Sequence, residues 1–398
     1  MPSEFLSLQR DAKGRIAERT LNLGGEAETR RYGYDSAGRL ARVTDGTGGL
    51  LESYQYDHDG RRLADINPQR FRGERRYTYS PGNRLLQAGA VQYGHDKAGF
   101  RNLKVEDGRE ARYHYEPSGL LLAVDLPDGR HIEYGYDAKG QRTEKRINGR
   151  LVEVYRWLDP LRLSEFHDGR EWWRLAYDSA RPGRGGRTPV GVTNGEDSYF
   201  LLCDQVGTPL ALATADGHVV QAMQYDTFGN LLATRGDAVR LPLGFAGGLF
   251  DADTGLTHFP WRDYDADTGR FTALDPMCAK GGDDDWYGYC VDDPVNRVDA
   301  WGLFWGEETP GGRIVWNGLK TAGSWGVKGA IIGLPVEGVG AIPAAAVGVG
   351  LGFPYGLAEG TIKEIASGGN TPPSEAEKQS DNMQEQRDIL DWPDLRGR

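Results

Sequence analysis

Short runs along this chain alternate polar and apolar positions with a period of two. Arg31-Tyr32-Gly33-Tyr34, Leu40-Ala41-Arg42-Val43 and Tyr113-His114-Tyr115 are examples. This pattern predicts half-buried strands with aromatic rings on one face. The runs are joined by a recurrent turn: Tyr34-Asp35-Ser36-Ala37-Gly38-Arg39 returns as Tyr56-Asp57-His58-Asp59-Gly60-Arg61, Tyr136-Asp137-Ala138-Lys139-Gly140-Gln141 and Tyr225-Asp226-Thr227-Phe228-Gly229-Asn230. In such a turn the aspartate side chain bonds nearby amides and glycine takes a positive φ at no steric cost. Looser copies start at Tyr79, His95 and Tyr115, so that the steps are 22, 23, 16, 20, 21 and 21 residues when counted from Tyr34 on to Trp157. Each unit reads as a β-hairpin too small to bury its aromatic face alone. Stacked side by side, the units predict a mainly β protein, with an antiparallel hairpin-repeat sheet curling into an open or partial shell. An ordinary β-protein with common turn residues does not account for four close copies at a near-constant step.

Composition changes the picture in two ways. Only 38% of the 398 residues are hydrophobic, and 57 are glycine, so the 19 Tyr and 10 Trp are the expected core material. The net charge of −11 is unevenly spread: residues 1–150 hold 26 Lys+Arg against 22 Asp+Glu (+4), and residues 191–303 hold 6 against 18 (−12). The basic half is weakly so and its charges are interleaved, which argues against a nucleic-acid partner. Three cysteines (Cys203, Cys278, Cys290) with no CxxC pair argue against a disulfide framework and for synthesis in the cytoplasm. The first 20 residues carry charges throughout, so no signal peptide is expected, and export would follow a route that reads no N-terminal leader. The chain starts inside a repeat register and reads as the C-terminal part of a longer ancestor or a displaced cassette.

Three regions are expected: a repeat sheet over 1–180, a turn-dense block over 190–303, and a tail over 304–398. A flexible break is expected around Arg181–Pro189. In the tail, Gly338–Ala358 is 21 residues without a charge, and small residues recur from Gly318 to Gly356. That pattern gives a small, helical, membrane-inserting hairpin over 321–358 as one reading, with a packed soluble segment or a disordered linker as the alternatives. No histidine follows His258, so a nuclease or metalloenzyme tail is not expected.

The turn-dense block holds, in order, Gly207-Thr208-Pro209, Tyr225–Asn230, Phe245-Ala246-Gly247-Gly248-Leu249-Phe250-Asp251, Trp261-Arg262-Asp263-Tyr264-Asp265, Asp275-Pro276, Trp286-Tyr287-Gly288-Tyr289 and Val298-Asp299-Ala300-Trp301-Gly302-Leu303. In these motifs the chain resembles the Rhs (rearrangement hotspot) and YD-repeat family and its repeat-associated core. The likeness covers about residues 10–303. It implies a β-shell around a C-terminal toxin, closed by a core that acts as an aspartyl autoprotease. Carried over by position, Arg262, Asp275 and Asp299 are the catalytic residues, and the cut falls between Leu303 and Phe304. The resemblance also implies that the chain's own tail is cargo, with an immunity protein and secretion machinery as partners and delivery to a target cell. No cofactor and no metal ion are expected.

The chemistry suits a carboxylate pair. Two carboxylates close together cannot both ionise, so one serves as acid while the other serves as base for an attacking water. Ala300 stands where the family has proline, which is expected to leave Asp299 freer and the cut site less rigid. Asp283-Asp284-Asp285 reads as a solvated loop, with a weak divalent-cation site as the alternative. Cys278 as a nucleophile lacks a neighbouring histidine in the sequence. Two other readings remain: a non-enzymatic surface protein binding carbohydrate or a partner through its aromatic sheet, and an inactive cassette.

Overall fold

A computed structural model describes residues 5–23, 25–178 and 187–303, apart from the side chains of residues 279 and 280. Most of the expected break at 181–189, Phe304, and the whole tail with its expected membrane hairpin lie outside the described residues. Twenty-two strands of the described residues form one antiparallel meander, from β1 (Leu6–Arg10) and β2 (Ile16–Leu23) to β22 (Leu231–Arg235). Each strand pairs with its chain neighbours, and among the described residues β1 and β22 do not pair, so the sheet stays open. The two ends nevertheless come face to face, with Leu21 packed among Leu210, Met223 and Tyr225.

The repeat works as a set of interlocking contacts. Asp35 Oδ1 accepts the Arg39 N–H at 2.9 Å and Oδ2 accepts Arg39 Nε at 2.7 Å, while Gly38 closes the turn at φ +90°. The Arg39 guanidinium then lies 4.7 Å from the centre of the Tyr56 ring, one repeat on. The Tyr56 hydroxyl donates back to Leu40 O at 2.8 Å. The same back-bond runs from Tyr34 to Ile16 O (2.7 Å), Tyr79 to Arg62 O (2.8 Å), Tyr136 to Leu121 O (2.7 Å), Trp157 Nε1 to Arg142 O (2.7 Å) and Tyr177 to Leu163 O (2.8 Å). The motif tyrosine thus ties one hairpin to the previous one. The aromatic two places earlier (Tyr32, Tyr54, Tyr77, Tyr113, Tyr134) is buried on the inner face.

Residues 241–303 fill the concave side as a plug. It holds a small sheet of β23 (Leu249–Asp251), β24 (Leu256–His258), β25 (Asp263–Asp265) and β26 (Arg270–Phe271). Phe245, Phe259, Tyr264, Phe271 and Tyr289 make its aromatic centre. The charge asymmetry of the sequence is resolved here, because cations of the wall meet carboxylates of the plug. Lys145 reaches Asp251 (2.7 Å) and Asp253 (2.6 Å), Arg142 reaches Asp263 (3.0 Å), Arg75 reaches Asp267 (2.6 Å), and Arg101 pairs with Asp265. Charges so buried persist only when paired, so these contacts fix where the plug sits. The acidic insert is not a solvated loop throughout. Only Asp284 is exposed; Asp285 is buried on Arg270 (2.9 Å) and Asn83 (2.7 Å), and Asp283 accepts the Val291 N–H at 3.0 Å.

Candidate active site

Arg262 stands in the turn between β24 and β25, closed by the Phe259 N–H on Arg262 O at 3.0 Å. The turn sends its guanidinium inward, with the central carbon 3.7 Å from the centre of the Phe271 ring. Asp275 follows β26. Its N–H donates to Trp286 O at 2.8 Å, and its Oδ1 accepts the Met277 N–H at 2.6 Å, so one carboxylate oxygen is spent on its own turn and Oδ2 is left to face the interior. Asp299 arrives on the last described segment, which is pinned by the Trp261 N–H on Trp301 O at 3.1 Å. Gly302 makes the final bend at φ +70°, where a Cβ would come within 3.2 Å of both the Arg262 nitrogen and the Phe259 Cβ.

These three segments converge on one peptide. Arg262 Nη2 lies 2.9 Å from Asp275 Oδ2 and 3.4 Å from Asp299 Oδ2. Its Nε donates to Gly302 O at 2.5 Å and its Nη1 to Trp286 O at 3.1 Å. Asp299 Oδ1 accepts the Leu303 N–H at 2.9 Å. A Cβ on Gly281 would stand 2.7 Å from both Asp275 Oδ2 and Leu303 O, so these two oxygens approach one another across a space that only glycine leaves open. Arg262, Asp275 and Asp299 are 3%, 5% and 3% exposed, and Leu303 is fully buried. The structure therefore brings together Arg262, Asp275, Asp299 and Leu303; Phe304 lies outside the described residues. Despite Ala300 in place of proline, Asp299 is held by the guanidinium and by the Leu303 amide.

Burial pushes the Asp275 carboxyl up to about 7; Arg262 opposes the rise, and Asp299 adds to it. The Cys278 thiol is also pushed up by burial and by Asp275, which leaves it a poor nucleophile. His258 is committed elsewhere, 3.1 Å from Asp263. Among the described residues no cluster of three or more His, Cys, Asp or Glu side chains is arranged to hold a metal ion. Three contributors escaped the sequence reading. Gly281 carries a signal only in being a glycine, the Phe271 ring stacks under Arg262, and the Trp286 carbonyl is backbone and has no sequence signature.

The family profile described as Teneurin YD-shell matches residues 4–280, a span that includes Arg262 and Asp275 and ends before Asp299. Teneurin-3 of Danio rerio is 32% identical over 277 residues, 68% of this chain and 10% of that protein. The "Probable deoxyribonuclease RhsA" of Dickeya dadantii (strain 3937) is 30% identical over 247 residues, 57% of this chain and 16% of that protein. The chain thus spans about a tenth of the length of the teneurins it matches. Among solved structures, the Photorhabdus luminescens Tc holotoxin pore aligns at 16% identity and a TM-score of 0.36, covering 76% of this chain and 19% of that one. The TcdB2-TccC3 crystal structure aligns at 14% identity and a TM-score of 0.31, covering 75% and 22%. With its Tyr-Asp repeat, its open antiparallel wall and a family match over most of its length, the chain belongs to the Rhs and teneurin YD-shell family.

Proposed function

We propose that the plug is a self-cleaving aspartyl centre that cuts the chain between Leu303 and Phe304 and frees the segment that follows. The observation that carries this reading is the grip on the Gly302-Leu303 peptide, with Arg262 on its carbonyl, Asp299 on its N–H and Asp275 facing the next carbonyl oxygen. Protonated Asp275 donates to the Leu303 carbonyl oxygen, and Asp299 takes a proton from the water that attacks the carbonyl carbon. Arg262 stays charged and holds both carboxylates in place as charge shifts between them. Collapse of the tetrahedral species passes one proton to the residue 304 nitrogen, leaving a carboxyl group on Leu303 and a free amine on Phe304.

In this reading the wall and plug are a carrier, and residues 304–398 are its cargo. The RhsA relative, named a probable deoxyribonuclease, supports a toxin cassette of this layout. Delivery to a target cell, a cognate immunity protein, secretion machinery and action of the 321–358 segment on a membrane follow from the same reading. Among the described residues no helix is long and apolar enough to cross a membrane. Denaturing electrophoresis tests the cleavage step: wild type gives two fragments, and Asp275→Asn and Asp299→Asn each give one full-length band. A single band for all three, or the same two for all three, removes the proposal.

A further inference from the structure

The interlock between repeats is altered at two successive steps: the Tyr115 hydroxyl turns to Thr272 Oγ1 at 3.0 Å, and at the step before it, from Tyr79 to His95, a cation is left without a counter-charge. Residue 80 is serine where the turns at 35, 57, 96 and 137 carry aspartate and that at 116 carries glutamate, and residue 95 is histidine where the next repeat should carry tyrosine. Both changes fall on the shortest interval of the series, 16 residues. In an intact step such as Arg39, the guanidinium is neutralised by its turn aspartate at 2.7 Å. Arg84 instead donates to two carbonyls, Asp96 O at 3.0 Å and Lys97 O at 3.1 Å, and meets the Tyr287 hydroxyl. Ser80 Oγ contacts only the Arg84 backbone N–H, at 3.2 Å. Among the described residues no carboxylate lies within 4.0 Å of the Arg84 guanidinium.

The imidazole of His95 is shorter than the phenol it replaces and makes no back-bond to the previous hairpin; its Nδ1 is buried without a partner. Between the turns lies a cleft of about 370 Å³, lined by Arg84 and His95 with Pro81, Leu86, Leu274 and Tyr287. A half-buried guanidinium without a counter-ion is unfavourable until another group completes it. Burial first, then Arg101, Arg84 and Arg270, push the His95 pKa down to about 3, which marks a positive field at this spot. Arg101 and Arg270 have their own aspartates, so the uncompensated charge is Arg84.

We propose that this cleft binds a small oxyanion, a carboxylate or phosphate group, with Arg84 as its counter-charge and the His95 ring as part of its wall. A flat guanidinium edge suits the paired oxygens of either group. The apolar lining accommodates a short carbon body attached to it.

Thermal unfolding of the full chain tests this, in sodium phosphate and in sodium acetate against sodium chloride at equal ionic strength and pH. A saturable rise in Tm over chloride is expected, and the anion with the lower apparent Kd identifies the group. Arg84→Met should weaken that Kd about tenfold or more, the loss of a charge-assisted bond. Ser80→Asp, which supplies an internal carboxylate to Arg84, should abolish the response. Ser80→Asp with His95→Tyr should also raise Tm in chloride by restoring the interlock. No saturable rise in either anion for the wild type, or an unchanged response in both Arg84→Met and Ser80→Asp, overturns the site.

Discussion

Replacing Lys145 with methionine should loosen the plug from the wall. Its ammonium belongs to a side chain 1% exposed and lies 2.7 Å from Asp251, 2.6 Å from Asp253 and 3.8 Å from Glu153. Asp251 also accepts the Tyr134 hydroxyl, so the cluster joins three adjacent wall strands to the β23–β24 turn of the plug. Methionine keeps most of the aliphatic stem and its packing, so the change isolates the charge. Without the cation, buried Asp251 loses its ion pair while Asp253 keeps Arg130, and breaking a buried pair from one side costs about 3–5 kcal/mol. Adding Asp251→Asn should recover at least about 1 kcal/mol, because the two sites are in direct contact and their effects do not add. Arg112→Met is the control: its pair with Glu110 is 58% and 47% exposed, and an ion pair that exposed contributes about 1 kcal/mol or less. Urea unfolding followed by tryptophan fluorescence gives all three values. Lys145→Met indistinguishable from Arg112→Met would refute the claim that buried ion pairs seat the plug.

Gly281→Ala should slow cleavage at least about a hundredfold, since a Cβ there meets Asp275 Oδ2 and Leu303 O at 2.7 Å; an angstrom-scale misplacement carries that order of loss. A time course on denaturing gels reads it, and wild-type rates would refute the crowding argument. Because the Asp275 carboxyl is raised to about 7 and acts here as the acid, the cleavage rate should hold below that pH and fall about tenfold per unit above it. A pH–rate profile that instead rises through neutrality would reverse the assigned roles. The raised value also has a stability sign: the folded state binds this proton more tightly than the unfolded chain, so its contribution is fullest below the ordinary aspartate range and is lost as pH rises through about 7. Tyr56→Phe removes the bond to Leu40 O and should cost about 0.5–1.5 kcal/mol in urea unfolding; no loss would show that the back-bond adds nothing to ring packing.

The wall was legible because its information is local. Asp35, Gly38 and Arg39 build their turn within five residues, and Tyr56 repeats the instruction one hairpin later, so period and residue type fix both strand and turn. The role of Arg39 as a bridge between repeats was not legible, since a sequence shows an arginine but not the ring it covers. The charge split between the two halves contained the docking of the plug, yet which aspartate meets which cation depends on the curl of the sheet. Asp285 shows the limit. Next to Asp283 and Asp284 it reads as solvated, but the fold carries Arg270 and Asn83 to it from two separate places. For the candidate site, the positions of Arg262, Asp275 and Asp299 came from resemblance. Their separation along the chain says nothing about convergence, which is produced by the β24–β25 turn, the Trp286 carbonyl and the bend at Gly302.

The most direct test is the intact mass of the purified chain after incubation in water enriched in oxygen-18. Two products are predicted: one ending at Leu303 with a single heavy oxygen in its new carboxyl group, and one beginning at Phe304 with none. A single full-length mass, unchanged from that of Asp275→Asn, or a cut at any other bond, would contradict the account.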